Sequence, residues 1–187
     1  MIALLLGAAL TALQTDNTTL VVENRDGFWR IPYYGAKAEA ADVCALEGPP
    51  LRWHGDTRHP AYAAFGQRLL GMDVDKFGGL AVRHADGTVS TELVAAAPEP
   101  VEIPDADGGR HIVLKHRDKA YPLTVDQHFR ADAASDVIET WVEIRHDEPQ
   151  AVALTRMDSL ALDLPRVARS YRLLSLSSWW GSEAKLS

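Results

Sequence analysis

From Thr18 onward the chain is a succession of short runs rich in β-branched and aromatic residues, broken by turn clusters roughly every ten residues. No other feature limits the fold as tightly, because a short alternating run buries only one face and needs paired neighbours to hold its backbone. In YPLTVDQHFR, Leu123, Val125 and Phe129 point one way, while Thr124, Asp126, His128 and Arg130 point the other. In DVIETWVEIRH, Ile138, Thr140, Val142 and Ile144 form one face, and Trp141 lies opposite with Glu139, Glu143 and Arg145. TTLVVEN leads into the turn signal Arg25-Asp26-Gly27, and HIVLKHR, VALTRMDSLALDLP and SYRLLSLSS extend the series. GLAVRHADGTVSTELV reads as a hairpin, since Asp86-Gly87 supplies the positive φ of a tight turn. Further turn clusters fall at Pro104 to Gly109, Ala131 to Asp136 and His146 to Pro149. Only HPAYAAFGQRLLG has helical spacing, through Tyr62, Phe65 and Leu69. No strand–helix alternation, internal repeat or linker is visible. The expectation is all-β: one large antiparallel β-sandwich over residues 18–187, with a loop-rich or short-helical N-terminal segment.

Composition narrows the partners. At 187 residues a single domain is the better prior, and 47% hydrophobic with 24% charged residues is ordinary for a globular chain. The formal charge of −7, with arginines scattered singly among acids, argues against a nucleic-acid partner. The single cysteine, Cys44, excludes an intrachain disulfide and a cysteine-based metal site. Residues Ile2 to Leu13 are apolar, too few to cross a bilayer as a helix but the length of a signal-peptide core. Residues 1–17 are therefore read as a possible signal peptide, although no Lys or Arg precedes the run and the cleavage site is blurred. Such a chain is periplasmic or secreted if the segment is a signal, and cytoplasmic otherwise.

Histidines, carboxylates and aromatics are the side chains that could carry chemistry. His54 and His59 lie five apart in a loop, and His111 and His116 five apart on a strand, where an odd separation sends them to opposite faces. A metal site would need long-range convergence, so these read as surface or hydrogen-bonded histidines. The pairs Asp73/Asp75 and Asp105/Asp107 read as turn and capping carboxylates rather than a calcium loop or a glycosidase pair. Nucleophile-elbow, Walker and dinucleotide motifs are absent, and Cys44 has no neighbouring base, so no cofactor is called for. Aromatics remain: Trp29, Tyr33 and Tyr34 cluster in GFWRIPYYG, Trp53 sits in LRWHGD, and Trp179 and Trp180 are adjacent near Ser187. Adjacent tryptophans on a strand face opposite ways, so one of the pair faces outward or toward a partner.

The order of these pieces resembles the N-terminal β-supersandwich domain of glycoside hydrolase family 36, the α-galactosidases. A D-V-I-like strand start at Asp136 leads to the turn Asp147-Glu148-Pro149, then to a strand ending in Asp163-Leu164-Pro165. A connection bearing Tyr171 then reaches a closing motif in which Trp180 and Glu183 match, while Ser178 and Ser182 depart from the usual Gly and Arg. YYGAK and HADGTVSTEL sit where similar pieces are expected. The likeness spans about residues 18 to 187 and is strongest after Asp136.

That resemblance implies a galactose-mutarotase-like sandwich preceding a (β/α)₈ catalytic barrel whose two aspartates perform retaining hydrolysis. The nucleophile motif of that barrel is absent here, and a barrel of about 250 residues would have to lie C-terminal to this chain. The resemblance therefore implies a non-catalytic domain that supports the barrel and lines a pocket for an α-galactoside or related oligosaccharide, in a parent enzyme expected to be a homo-oligomer. It implies substrate-binding roles for Trp180 and, in the divergent loop of LRWHGD, for Asp56. Two other readings stand beside it. One is a stand-alone carbohydrate-binding sandwich that stacks sugars on Trp53, Trp179 and Trp180. The other is a mutarotase-type epimerase, which needs a histidine and a glutamate brought together.

Overall fold

The computed structural model describes residues 10–25, 27–39, 42, 80–89, 91–132, 134–157, 176–179 and 182–186. The helical periodicity of HPAYAAFGQRLLG and the acids Asp73 and Asp75 lie outside them. The described elements are strands paired antiparallel: β1 (Leu10–Gln14), β2 (Thr18–Arg25), β3 (Phe28–Ala36), β4 (Leu80–Arg83), β5 (Leu93–Ala95), β6 (Val101–Ile103), β7 (Arg110–Asp118), β8 (Leu123–Ala131), β9 (Ile138–His146), β10 (Ala153–Met157), β11 (Leu176–Trp179) and β12 (Ser182–Leu186).

The centre is a five-stranded sheet in the order β5-β7-β8-β9, with β6 also pairing β7. Its inward face is built by the alternation visible in YPLTVDQHFR: Leu123, Val125 and Phe129 are all buried. Two smaller sheets cover that face. The sheet β1-β2-β3 brings Leu13, Leu20, Val22, Trp29 and Ile31 against Ile112, Leu114, Phe129 and Ala131. The pair β4-β10 brings Leu80 and Val82 against Leu93, Leu123 and Val125, with Val142 and Ile144 alongside. Burial of such apolar faces is the main favourable contribution to a sandwich, at about 25 cal/mol per Å². The indole of the buried Trp29 also donates to the Lys115 carbonyl at 2.9 Å, tying the small sheet to the large one by a polar bond. Upstream of Thr18, β1 extends the sandwich and places Leu13 wholly inside the core.

One local expectation is corrected. The Asp86-Gly87 turn forms, with Gly87 at φ +87° and a His84 N–H to Thr88 carbonyl bond of 2.8 Å. Its two arms are nevertheless not a hairpin, because β4 pairs β10 while β5 pairs β7. Turn chemistry is local, whereas strand partners are chosen by the core. At this turn the Ala85 N–H is drawn away to Glu148, at 2.9 Å.

Strand β10 carries a bulge. Leu154 is opposite Val82 and Met157 opposite Leu80, with a register shift between Leu154 and Arg156. The shift places Leu154 and Met157 on one face, although a regular strand would send residues three apart to opposite sides.

Candidate functional site

The outward face of the five-stranded sheet collects polar and aromatic side chains in rows set by register. Val113, His128 and Trp141 are aligned across β7, β8 and β9. On one side lies the row Lys115, Asp126 and Glu143, and on the other the row His111, Arg130 and Glu139. The rings meet. His128 and Trp141 stack with centroids 4.7 Å apart and planes 10° from parallel, and His111 leans on both, 5.2 Å from His128 and 5.0 Å from Trp141. His111 Nε2 is 3.0 Å from His128 Nδ1, so one ring donates and the other accepts.

His128 is the buried member of the group, and its Nε2 has no hydrogen-bond partner. The nearest carboxylate is that of Glu143, with Oε1 3.6 Å away, beyond hydrogen-bond reach. Burial holds the imidazole below its ordinary pKa. Glu143 pulls it back up, and His111 pushes it down. Arg130 anchors the far row, bonding Asp105 at 2.6 Å, Asp107 at 2.8 Å and Glu139 at 3.2 Å. Asp105 and Asp107 thus serve the turn and Arg130 together, and the Arg130 hydrogen bond depresses the Asp105 carboxyl. Among the described residues, no group of three or more His, Cys, Asp or Glu side chains is arranged to hold a metal ion.

A second cluster joins two of the quoted sequence pieces. Glu148, from the Asp147-Glu148-Pro149 turn, bonds His84 Nδ1 at 2.8 Å and the Ala85 N–H at 2.9 Å, and His84 Nε2 lies 3.3 Å from Thr91 Oγ1. Tyr121 covers the imidazole, its ring 3.6 Å from that of His84 and 9° from parallel, while its hydroxyl donates to Asp86 at 2.9 Å. Both ring nitrogens of His84 and both carboxylate oxygens of Glu148 have partners within the cluster, which clasps the Asp86-Gly87 turn to the turns bearing Tyr121 and Glu148.

Trp180, Asp56, Trp53, His54, His59 and Cys44 lie outside the described residues, and Trp179 is described only as backbone, opposite Ser182 in the β11–β12 pair. Trp29 is core, and Tyr34 is exposed. His111 and His116 do point to opposite faces: His116 is buried on the inward side and bonds the Val125 carbonyl at 3.1 Å. The meeting of His111, His128, Trp141 and Glu143 was missed. Counting register outward from the turns at Lys119–Pro122 and Asp132–Val137 would have found it, since His128 then falls opposite Trp141.

The architecture places the chain among known folds. The α-galactosidase of Lactobacillus brevis superposes with a TM-score of 0.73 at 22% identity, over 100% of this chain and 28% of that one. Two structures of the family 36 α-galactosidase AgaA of Geobacillus stearothermophilus were solved with 1-deoxygalactonojirimycin and with stachyose. Each gives a TM-score of 0.75 at 15% identity, over 96% of this chain and 27% of that one. The chain therefore spans little more than a quarter of these enzymes and has the sandwich fold of that part. The sequence gives a family as well as a fold. The model of the glycosyl hydrolase family 36 N-terminal domain matches residues 29–187, and the chain belongs to that family. No curated protein matches the chain in a sequence comparison.

Proposed function

We propose that this chain is the non-catalytic N-terminal domain of an α-galactosidase-like retaining glycoside hydrolase, supporting the catalytic barrel and lining its sugar pocket through Trp180 and Asp56. The observation that carries the reading is the family match over residues 29–187, in a chain that spans 28% of a solved relative. In such an enzyme the remaining length is where a (β/α)₈ barrel and its two aspartates reside. The exposed Leu154 and Met157 support the reading further. The β10 bulge turns both toward the side that carries Leu80 and Val82, extending the core as an apolar flank of the kind a second domain covers.

Kinetics of the chain fused to the (β/α)₈ barrel of a family 36 α-galactosidase test the pocket residues. Trp180→Ala is expected to lower kcat/KM on an aryl α-galactoside by roughly 10–100-fold, about 1.4–3 kcal/mol of lost transition-state binding, and Asp56→Asn by a similar factor. Unchanged kcat/KM in both variants would remove the pocket-lining part of the proposal.

A further inference from the structure

We propose that the outward face of β7, β8 and β9 carries a carbohydrate-binding site centred on His128, Trp141 and Glu143. The indole of Trp141 takes the apolar face of a sugar ring, and His128 Nε2 with the Glu143 carboxylate brackets one of its hydroxyls.

Three observations carry this. His128 is only 6% exposed, and its Nε2, on the outward face of the sheet, is without a hydrogen-bond partner, a state few buried polar atoms keep. The atom it faces, Glu143 Oε1, stands 3.6 Å off, so a hydroxyl oxygen about 2.8 Å from each would bond both at once. With His128 Nδ1 accepting from His111, Nε2–H donates to that hydroxyl, which in turn donates to Glu143, an acceptor only. The Glu143 side chain is 44% exposed and its second oxygen accepts from Arg145, so the carboxylate edge of the site faces solvent.

The surroundings favour a polyhydroxyl over an apolar protein surface. The Lys115–Asp126 pair, at 3.2 Å, sits in the row beside the rings, and Arg130 with Glu139 in the row beyond. Charged donors and acceptors thus flank the aromatic stripe on both sides, on strands about 4.8 Å apart. The rings themselves supply a flat, partly dehydrated strip. All the groups invoked belong to this chain, so the site does not depend on a barrel.

Titration of the 187-residue chain with methyl α-galactoside and with raffinose, followed through imidazole and indole NMR signals, tests the assignment. The expected result is saturable movement of the His128 and Trp141 resonances, with Kd on the order of 1–10 mM. Glu143→Gln should weaken binding by about tenfold with the amide spectrum unchanged, and Trp141→Ala should abolish it. If Trp141→Ala loses amide dispersion, Trp141→Phe replaces it, with weakened but measurable binding expected. Either of two results overturns the proposal: His128 and Trp141 signals that stay fixed at high sugar, or an unchanged Kd in the Glu143 and Trp141 variants.

Discussion

His116 sits on the inward face of β7, with Nδ1 donating to the Val125 carbonyl and Nε2 unpartnered. Protonation would place a charge on an atom with no acceptor, and burial accordingly lowers its pKa from 6.5 to about 4. The unfolded chain then binds the proton more readily than the folded one between those two values. Stability is therefore intact above the unfolded pKa, falls as pH drops through the window from 6.5 toward 4, and levels off below it. Urea unfolding at pH 7 and pH 5 should show a loss of roughly 2 kcal/mol attributable to this group. His116→Leu should flatten that difference, and an unchanged pH dependence in the variant would contradict the assignment. The opposite sign applies to Glu148, whose carboxyl is held below its ordinary range mainly by the His84 hydrogen bond. Its contribution is present above the usual carboxylate pKa and is lost as pH falls through the depressed folded value. Acid unfolding of Glu148→Gln should lack that part of the slope, and a slope equal to that of the parent chain would show that the clasp is not coupled to folding.

Elements are positioned by turns whose constraints differ in kind. Gly108 has φ +77° but open space where a Cβ would go, whereas at Gly109 an added Cβ would collide with the Ala131 carbonyl oxygen and lie 2.7 Å from Asp105 Oδ2. Gly108→Ala should therefore cost about 1 kcal/mol through backbone conformation alone. Gly109→Ala should cost about 1–3 kcal/mol, because the start of β7 or the end of β8 has to move. Chemical denaturation of the two variants checks the order, and a Gly108 variant less stable than the Gly109 variant would contradict it. The same region shows what sequence can and cannot give. The alternation in YPLTVDQHFR named the buried face of β8 because Leu123, Val125 and Phe129 recur at even spacing among polar residues, although the inward Gln127 is polar and buried as well. The strand partners of GLAVRHADGTVSTELV could not be read that way, since an Asp-Gly turn constrains five residues while pairing to β10 and β7 is decided by packing far along the chain. The ring cluster was hidden for the same reason: His111, His128 and Trp141 belong to three strands, and only register aligns them.

At the scale of the whole molecule, the sandwich has a core on each half of its central sheet, closed by β1-β2-β3 and by β4-β10. The family likeness was legible in the order and spacing of moderately specific pieces, the turn Asp147-Glu148-Pro149 among them. The structure supplies a physical reason for that turn, since Glu148 is the residue that grips His84 and Ala85. Trp180 and Asp56, by contrast, were assigned through resemblance alone, and a pocket completed by another domain leaves no local pattern in this one. Hydrolysis of an aryl α-galactoside decides most directly whether the sandwich is one part of a hydrolase. It should be measured side by side on the 187-residue chain and on a longer product in which that chain is fused to the (β/α)₈ barrel of a family 36 relative. The expected result is turnover only in the longer product, with the sandwich alone inert. Turnover by the 187-residue chain, or an inert longer product that folds, would contradict it.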